Sequence, residues 1–239
     1  MDNQLLNHED HRDLKIIVDR SPELGDAVML NQTFPGEFRN VQAHYPILFQ
    51  KNDQTGDYLA VALFGLERDE NLFLSAKGWD ASYVPLMQQR EPFTIGFQAE
   101  ADQKGERSRV VHVDMDSPRV NTEEGIRLFE PHGAQTAYLE KVAAMLETLY
   151  KWQEENRQFM GRLADLDLLE PVTFDLTLND GSQGQMVGFY TINEDRLQEL
   201  SEKEVYDLHQ KHYLQAIYMA VASLSNIRRL IDLKSKRRA

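Results

Sequence analysis

The chain has 239 residues, a formal net charge of −13, 41% hydrophobic and 27% charged residues, and no cysteine. Such a length buries a hydrophobic core without help from disulfides or metals, and the composition is that of a globular chain rather than a disordered or collagen-like one. The missing thiol excludes disulfide scaffolding, thiolate metal sites, Fe–S ligation and cysteine nucleophiles, and the acidity argues against a nucleic-acid partner.

Residues 1–20 lack the basic, apolar and small-residue segments of a secretory signal, so a cytoplasmic location is expected, with signal-independent export left open. Residues 1–32 are polar apart from 14–18 and read as an extended lead-in carrying one edge strand. The rest, 33–239, reads as a single α+β unit, with a sub-boundary near Pro131 as the alternative.

From Tyr45 the pattern sharpens. Residues 46–50 and 58–64 are apolar runs joined by a stretch rich in Asn, Asp and Gly, the signature of a β-hairpin. Residues 93–97 and 109–114 form a second antiparallel pair around the polar loop 100–107. Residues 172–178 and 185–192 form a third, turned by Asn179, Asp180 and Gly181. At least six strands follow from these runs. Residues 63–72 can also be laid beside 187–197, each a strand running into an acidic turn and then a leucine, which raises the question of an internal repeat.

Two long helices accompany the sheet. The first begins near Thr136 and carries Tyr138, Val142, Met145, Leu149, Trp152, Phe159, Leu163 and Leu166 at helical spacing, interrupted by Asn156. The second opens on Ser201 and Glu204, a capping box, and runs to about Leu233 along Val205, Leu208, Leu214, Ile217, Val221, Leu224, Ile227 and Ile231. Basic residues crowd its end, where cations offset the helix dipole and the last residues are expected as a solvated tail. The nearly apolar run 213–224 is far shorter than the ~20 residues a membrane span needs, so no transmembrane segment is expected.

Several spaced blocks resemble the SapC family, named from a bacterial surface-layer operon. They are Ala43-His44-Tyr45-Pro46-Ile47-Leu48-Phe49, Asn71-Leu72-Phe73, Gly78-Trp79-Asp80-Ala81-Ser82-Tyr83-Val84-Pro85 and Arg90-Glu91-Pro92-Phe93. Further blocks are Asp114-Met115-Asp116-Ser117-Pro118-Arg119-Val120, residues 125–129, Thr136-Ala137-Tyr138-Leu139, Leu168-Leu169-Glu170-Pro171 and Gly188-Phe189. The resemblance covers nearly the whole chain and implies a Gram-negative bacterial source. It also implies an accessory role linked to surface layers or to uptake and modification systems. It transfers no catalytic residue set, and it is distinct from the similarly named membrane permease of a peptide transporter.

Three constellations carry candidate chemistry. His112 and Asp114 alternate onto one strand face and, with His209 or His212 downstream, spell the 2-His-1-carboxylate set of an Fe(II)/2-oxoacid oxygenase, with Arg228 beyond it for a 2-oxoacid. The bland alternative is two helix-surface histidines and one on a half-exposed strand. Asp114, Asp116, Asn121, Glu123 and Glu124 form an acidic cluster suited to a hard cation, or else a strand end whose side chains bond the local backbone, with Arg119 pairing to those carboxylates in either case. Tyr45, Phe49, Trp79, Tyr83 and Phe93 line a pocket for a peptide or small aromatic ligand, or pack a core. No nucleotide-binding loop, nucleophile elbow or zinc-protease motif is present, and no cofactor is implied.

The sequence thus points to an α+β fold of antiparallel hairpins with two long helices. Its leading reading is a non-enzymatic accessory or binding protein that takes a peptide, a small aromatic ligand or a bacterial protein partner. The iron oxygenase is the alternative.

Overall fold

The computed structural model describes residues 2–99 and 107–238; residues 100–106 of the expected polar loop lie outside the described residues. The chain is α+β, with antiparallel sheets and helices. It divides into two compact units. Met1–Asp26, Leu74–Trp79 and Leu86–Lys151 form the first, and Ala27–Phe73, Asp80–Pro85 and Trp152–Ala239 the second. Each unit therefore draws on segments from several parts of the chain.

In the first unit, strand Phe93–Ala99 pairs with Arg107–Asp114 as the alternating pattern predicts, and Asn3–Leu5 pairs with the other edge of Arg107–Asp114. The apolar stretch near residue 16 was expected as an edge strand. Instead, Lys15–Ile16 is the centre of a small sheet, between Val120–Asn121 and Ile126–Arg127. Gly125 permits this closeness: its φ is +102°, and a Cβ there would stand 2.3 Å from the Ile16 carbonyl oxygen. Leu14, Ile16, Phe93, Val113, Leu128, Leu139, Val142 and Leu146 fill the core, so the polar first 26 residues contribute apolar anchors to it rather than trailing as a lead-in.

Helix Ala137–Asp165 supplies residues 137–151 to the first unit and 152–165 to the second. Thr136 initiates it, its Oγ1 accepting from the Leu139 amide at 3.4 Å. Leu139 and Leu146 are buried where the sequence stripe had placed Tyr138 and Met145, which are half-buried. The apolar face is wide enough that adjacent positions share it. Asn156 is buried, and its Oδ1 finds no hydrogen-bond partner among the described residues.

The second unit holds a five-stranded antiparallel sheet in the order Leu169–Thr177, Gln183–Ile192, Ile47–Lys51, Tyr58–Leu63, Leu30–Gln32. Two of the predicted hairpins thus lie side by side, joined where Tyr190 pairs with Phe49. Ile47, Leu48 and Phe49 are consecutive and all buried, so this central strand is covered on both faces. Helix Tyr213–Ser223 contributes to that cover, and the Ile47 amide donates to Ser223 Oγ at 2.8 Å. The stretches 63–72 and 187–197 part company after their strands. The second enters helix Glu194–Gln198, capped by Asn193, whereas the first turns through Asp69 at φ 58°.

The second long helix is three helices: Glu202–Gln210, Tyr213–Ser223 and Asn226–Arg238. The break comes at His212, whose φ of 60° and ψ of 16° are left-handed and cannot continue a right-handed helix. The capping box at its start is as read: the Glu204 amide donates to Ser201 Oγ at 3.4 Å, and the Ser201 amide donates to the Glu204 carboxylate at 2.8 Å. Ser201→Ala is expected to destabilise the second unit by about 1 kcal/mol. Urea unfolding is the measurement, and an unchanged midpoint would show the cap to be idle. The basic end is only partly a solvated tail: Lys236 and Arg237 are exposed. Lys234 and Ser235 are buried, Lys234 pairing with Glu70 and, at 2.9 Å, with Glu67. Burial pulls the Lys234 ammonium down, but the two carboxylates outweigh it and hold it above its ordinary range.

Candidate functional site

The second unit carries a cleft of about 530 Å³ lined by Pro35, Gly36, Arg39, Trp152, Glu155, Gln158, Phe159, Lys211, His212, Tyr213, Gln215, Ala216 and Met219. Three aromatic rings form its apolar wall. Phe159 and Tyr213 meet edge to face with centroids 5.1 Å apart. Trp152 lies tilted to Phe34 at 6.3 Å, and its indole packs so tightly on Gly36 that a Cβ there would be 2.3 Å from the ring. No larger residue fits at position 36 without moving the tryptophan, so glycine fixes where the indole stands.

The rim is polar and mostly basic. Arg39 is exposed and makes no ion pair among the described residues. Lys211 pairs with Asp207 at 3.0 Å, and Asp207 also accepts from Arg162. Glu155 supplies the rim's carboxylate. Burial, ahead of the opposing Lys211 charge, pushes the Tyr213 hydroxyl above the ordinary phenol range, which keeps it protonated and able to donate. His212 belongs to the same rim in its left-handed conformation, a strain of about 1 kcal/mol that a non-glycine residue carries only where the surroundings hold it there. On a chain of net charge −13, this opening offers an Arg39 left unpaired among the described residues and a Lys211 shared with Asp207, with Glu155 as the lining carboxylate, together with stacking surfaces. It suits an aromatic group bearing a negative charge.

Of the aromatics singled out from sequence, Tyr45, Phe49 and Phe93 are fully buried, so their surface is spent on packing: Tyr45, for instance, meets Phe64 at 5.2 Å and Phe73 at 4.6 Å. Trp79 lies in the first unit, in strand Gly78–Trp79 opposite Leu74, and Tyr83 lies in the second. Trp152 was read from sequence only as part of a core stripe; its place in the cleft follows from Gly36, distant in sequence.

His112 sits on strand Arg107–Asp114 with its ring over Gly96, where a Cβ would be 2.5 Å from Nε2. Asp114 Oδ1 accepts from the amides of Asp2 at 2.9 Å and Asp116 at 3.2 Å. His209 lies in helix Glu202–Gln210, and His212 lies at the break after it. Among the described residues, no group of three or more His, Asp or Glu side chains comes together to hold a metal ion. The Asn121 side chain in the acidic cluster accepts from the amides of Glu123 and Glu124, the local backbone bonding of a turn.

Arg119 does not pair with Asp114 or Asp116. It is 1% exposed and donates through Nη2 to Asp26 at 2.6 Å and through Nη1 to the carbonyls of Ile17 and Asp19 at 3.0 and 2.8 Å. Asp26 is itself fully buried and accepts further from Arg20, from Gln88 Nε2 and from the Ser21 amide. A guanidinium satisfies two carbonyls and a carboxylate at once, which a turn-exposed partner would not offer. Burial, followed by Arg20, lowers the Arg119 pKa, with Asp26 opposing.

Fold and cleft together define an α+β protein with a cleft of small-molecule size and, among the described residues, no helix long and apolar enough to cross a membrane. The SapC family model matches residues 6–230, and the chain belongs to the SapC family. No curated protein and no solved structure matches it.

Proposed function

We propose that this SapC-family chain is an accessory protein that acts by binding, and that the cleft of the second unit receives its ligand, a small aromatic compound or aromatic peptide residue carrying an anionic group. The observation that carries this reading is the pairing of the Trp152, Phe159 and Tyr213 wall with Arg39 and Lys211 at the rim. The aromatic rings supply contact area at low entropic cost, and the cations select charge. A link to surface layers or to uptake and modification systems rests on the family alone.

The chain has two tryptophans, Trp79 and Trp152, so a Trp79→Phe variant makes Trp152 the sole indole emitter. Titration with tryptophan derivatives and short peptides bearing a C-terminal aromatic residue is expected to shift its fluorescence in a saturable way and to raise the melting temperature. Arg39→Gln is expected to weaken binding of the charged ligands about tenfold and to leave their neutral amides unaffected. Saturable binding by no member of the series, or equal loss for charged and neutral ligands, would remove the cleft from consideration.

A further inference from the structure

In the second unit, the exposed Ser82 hydroxyl lies 2.7 Å from His44 Nε2. The backbone on both sides of this contact is tied down. Tyr45, next to His44, is buried and donates its hydroxyl to the carbonyl of Tyr83, the residue after Ser82. The Tyr83 hydroxyl in turn donates at 2.8 Å to Glu37, which is 1% exposed. Two locked tyrosines therefore hold the serine and the histidine in register, so the pair does not depend on two free surface side chains meeting. Burial, then the positive charge of Arg229, keeps the His44 imidazole below its ordinary range, so at neutral pH it is in the form that accepts a proton. The amides of Ser82 and Tyr83 make no hydrogen bond among the described residues, which leaves two donors at the nucleophile's own position in the chain for a developing oxyanion.

We propose that Ser82 is a nucleophile activated by His44 toward activated carboxylic esters, an activity separate from ligand binding in the cleft. Ser82 Oγ forms a bond to the carbonyl carbon while its proton passes to His44 Nε2. The bond to the leaving oxygen then breaks, and the departing alcohol takes that proton. Water attacks the acyl-serine, giving a proton to His44, and the acid is released as Ser82 recovers its own.

The test treats the full chain with an alkyl fluorophosphonate and locates the adduct by peptide mass spectrometry. Ser82 is expected to be labelled with loss of fluoride, Ser82→Ala to be silent, and His44→Gln to be slowed about a hundredfold. The chain has no cysteine, so Ser82→Cys adds one thiol whose alkylation by iodoacetamide should be about tenfold faster than in Ser82→Cys combined with His44→Gln. Thermal melts of each variant show that it is folded. Equal labelling with and without His44, or no adduct at Ser82, would mean the contact is a structural hydrogen bond and overturn the proposal. Arg39→Gln is expected to leave labelling unchanged, which separates this result from the cleft's.

Discussion

Arg119→Ala is expected to destabilise the first unit by about 3–5 kcal/mol, the cost of breaking a buried ion pair from one side. The mechanism is desolvation rather than lost attraction. Asp26 is fully buried, and without the guanidinium its Oδ2 loses the cation that lies 2.6 Å from it, while the Ser21 amide still donates. The Ile17 and Asp19 carbonyls lose a donor as well. Arg20, 3.1 Å from Oδ1, still neutralises part of the charge, which places the effect toward the lower end of the range. Arg119→Lys is expected to recover little, because an ammonium cannot reach two carbonyls and a carboxylate with a planar fork. Asp26→Asn combined with Arg119→Met removes both charges, and it is expected to be more stable than Arg119→Ala alone. Urea unfolding monitored by amide exchange in the first unit measures this. A loss below about 1 kcal/mol for Arg119→Ala, the size of an ordinary surface change, would sink the account.

That network was invisible in the sequence for a physical reason. Asp26 and Arg119 are 93 residues apart, and Asp26 follows a polar segment whose neighbours give no periodicity to mark it as buried. What the sequence did reveal was local. Residues 46–64 announced their hairpin through a turn in which Asn52 Oδ1 accepts from the Gln54 and Thr55 amides and Gly56 takes a φ of 78°, and Ser201 with Glu204 announced a helix start, because these signals act within a few residues. The break at His212 leaves a trace in the sequence. The stripe of the second helix jumps from Leu208 to Leu214, six positions where one helical face allows three or four, and the left-handed His212 falls in that gap. Trp152 sat in the predicted stripe, but nothing in the helix itself says that Gly36 would meet its indole. Of the candidate sites, the sequence therefore contained the residue types, while the grouping depended on long-range contacts.

The second large effect concerns alkaline pH. Tyr83 donates to Glu37, and Glu37 also accepts from Thr33 Oγ1 at 2.8 Å. Burial, then the charge of Glu37, pushes the Tyr83 phenol far above its ordinary range. In the folded chain the proton therefore stays on, while the unfolded phenol loses it at about pH 10. Above that pH the native state binds one more proton than the unfolded state, so stability falls as pH rises, by about 1.4 kcal/mol per pH unit for this group. Lys234, raised by Glu70 and Glu67, acts in the same direction. The informative quantity is therefore the difference between the wild type and Tyr83→Phe, in which the lysine and the other tyrosines cancel. At pH 8 the variant is expected to be less stable by about 1–3 kcal/mol, because Glu37 loses a donor inside the protein. Between pH 8 and 11 that difference should shrink by about 1.4 kcal/mol, since only the wild type carries the phenol's penalty. Urea midpoints at a series of pH values measure it. A difference that stays constant from pH 8 to pH 11 would show that Tyr83 ionises as freely in the folded chain as in the unfolded one.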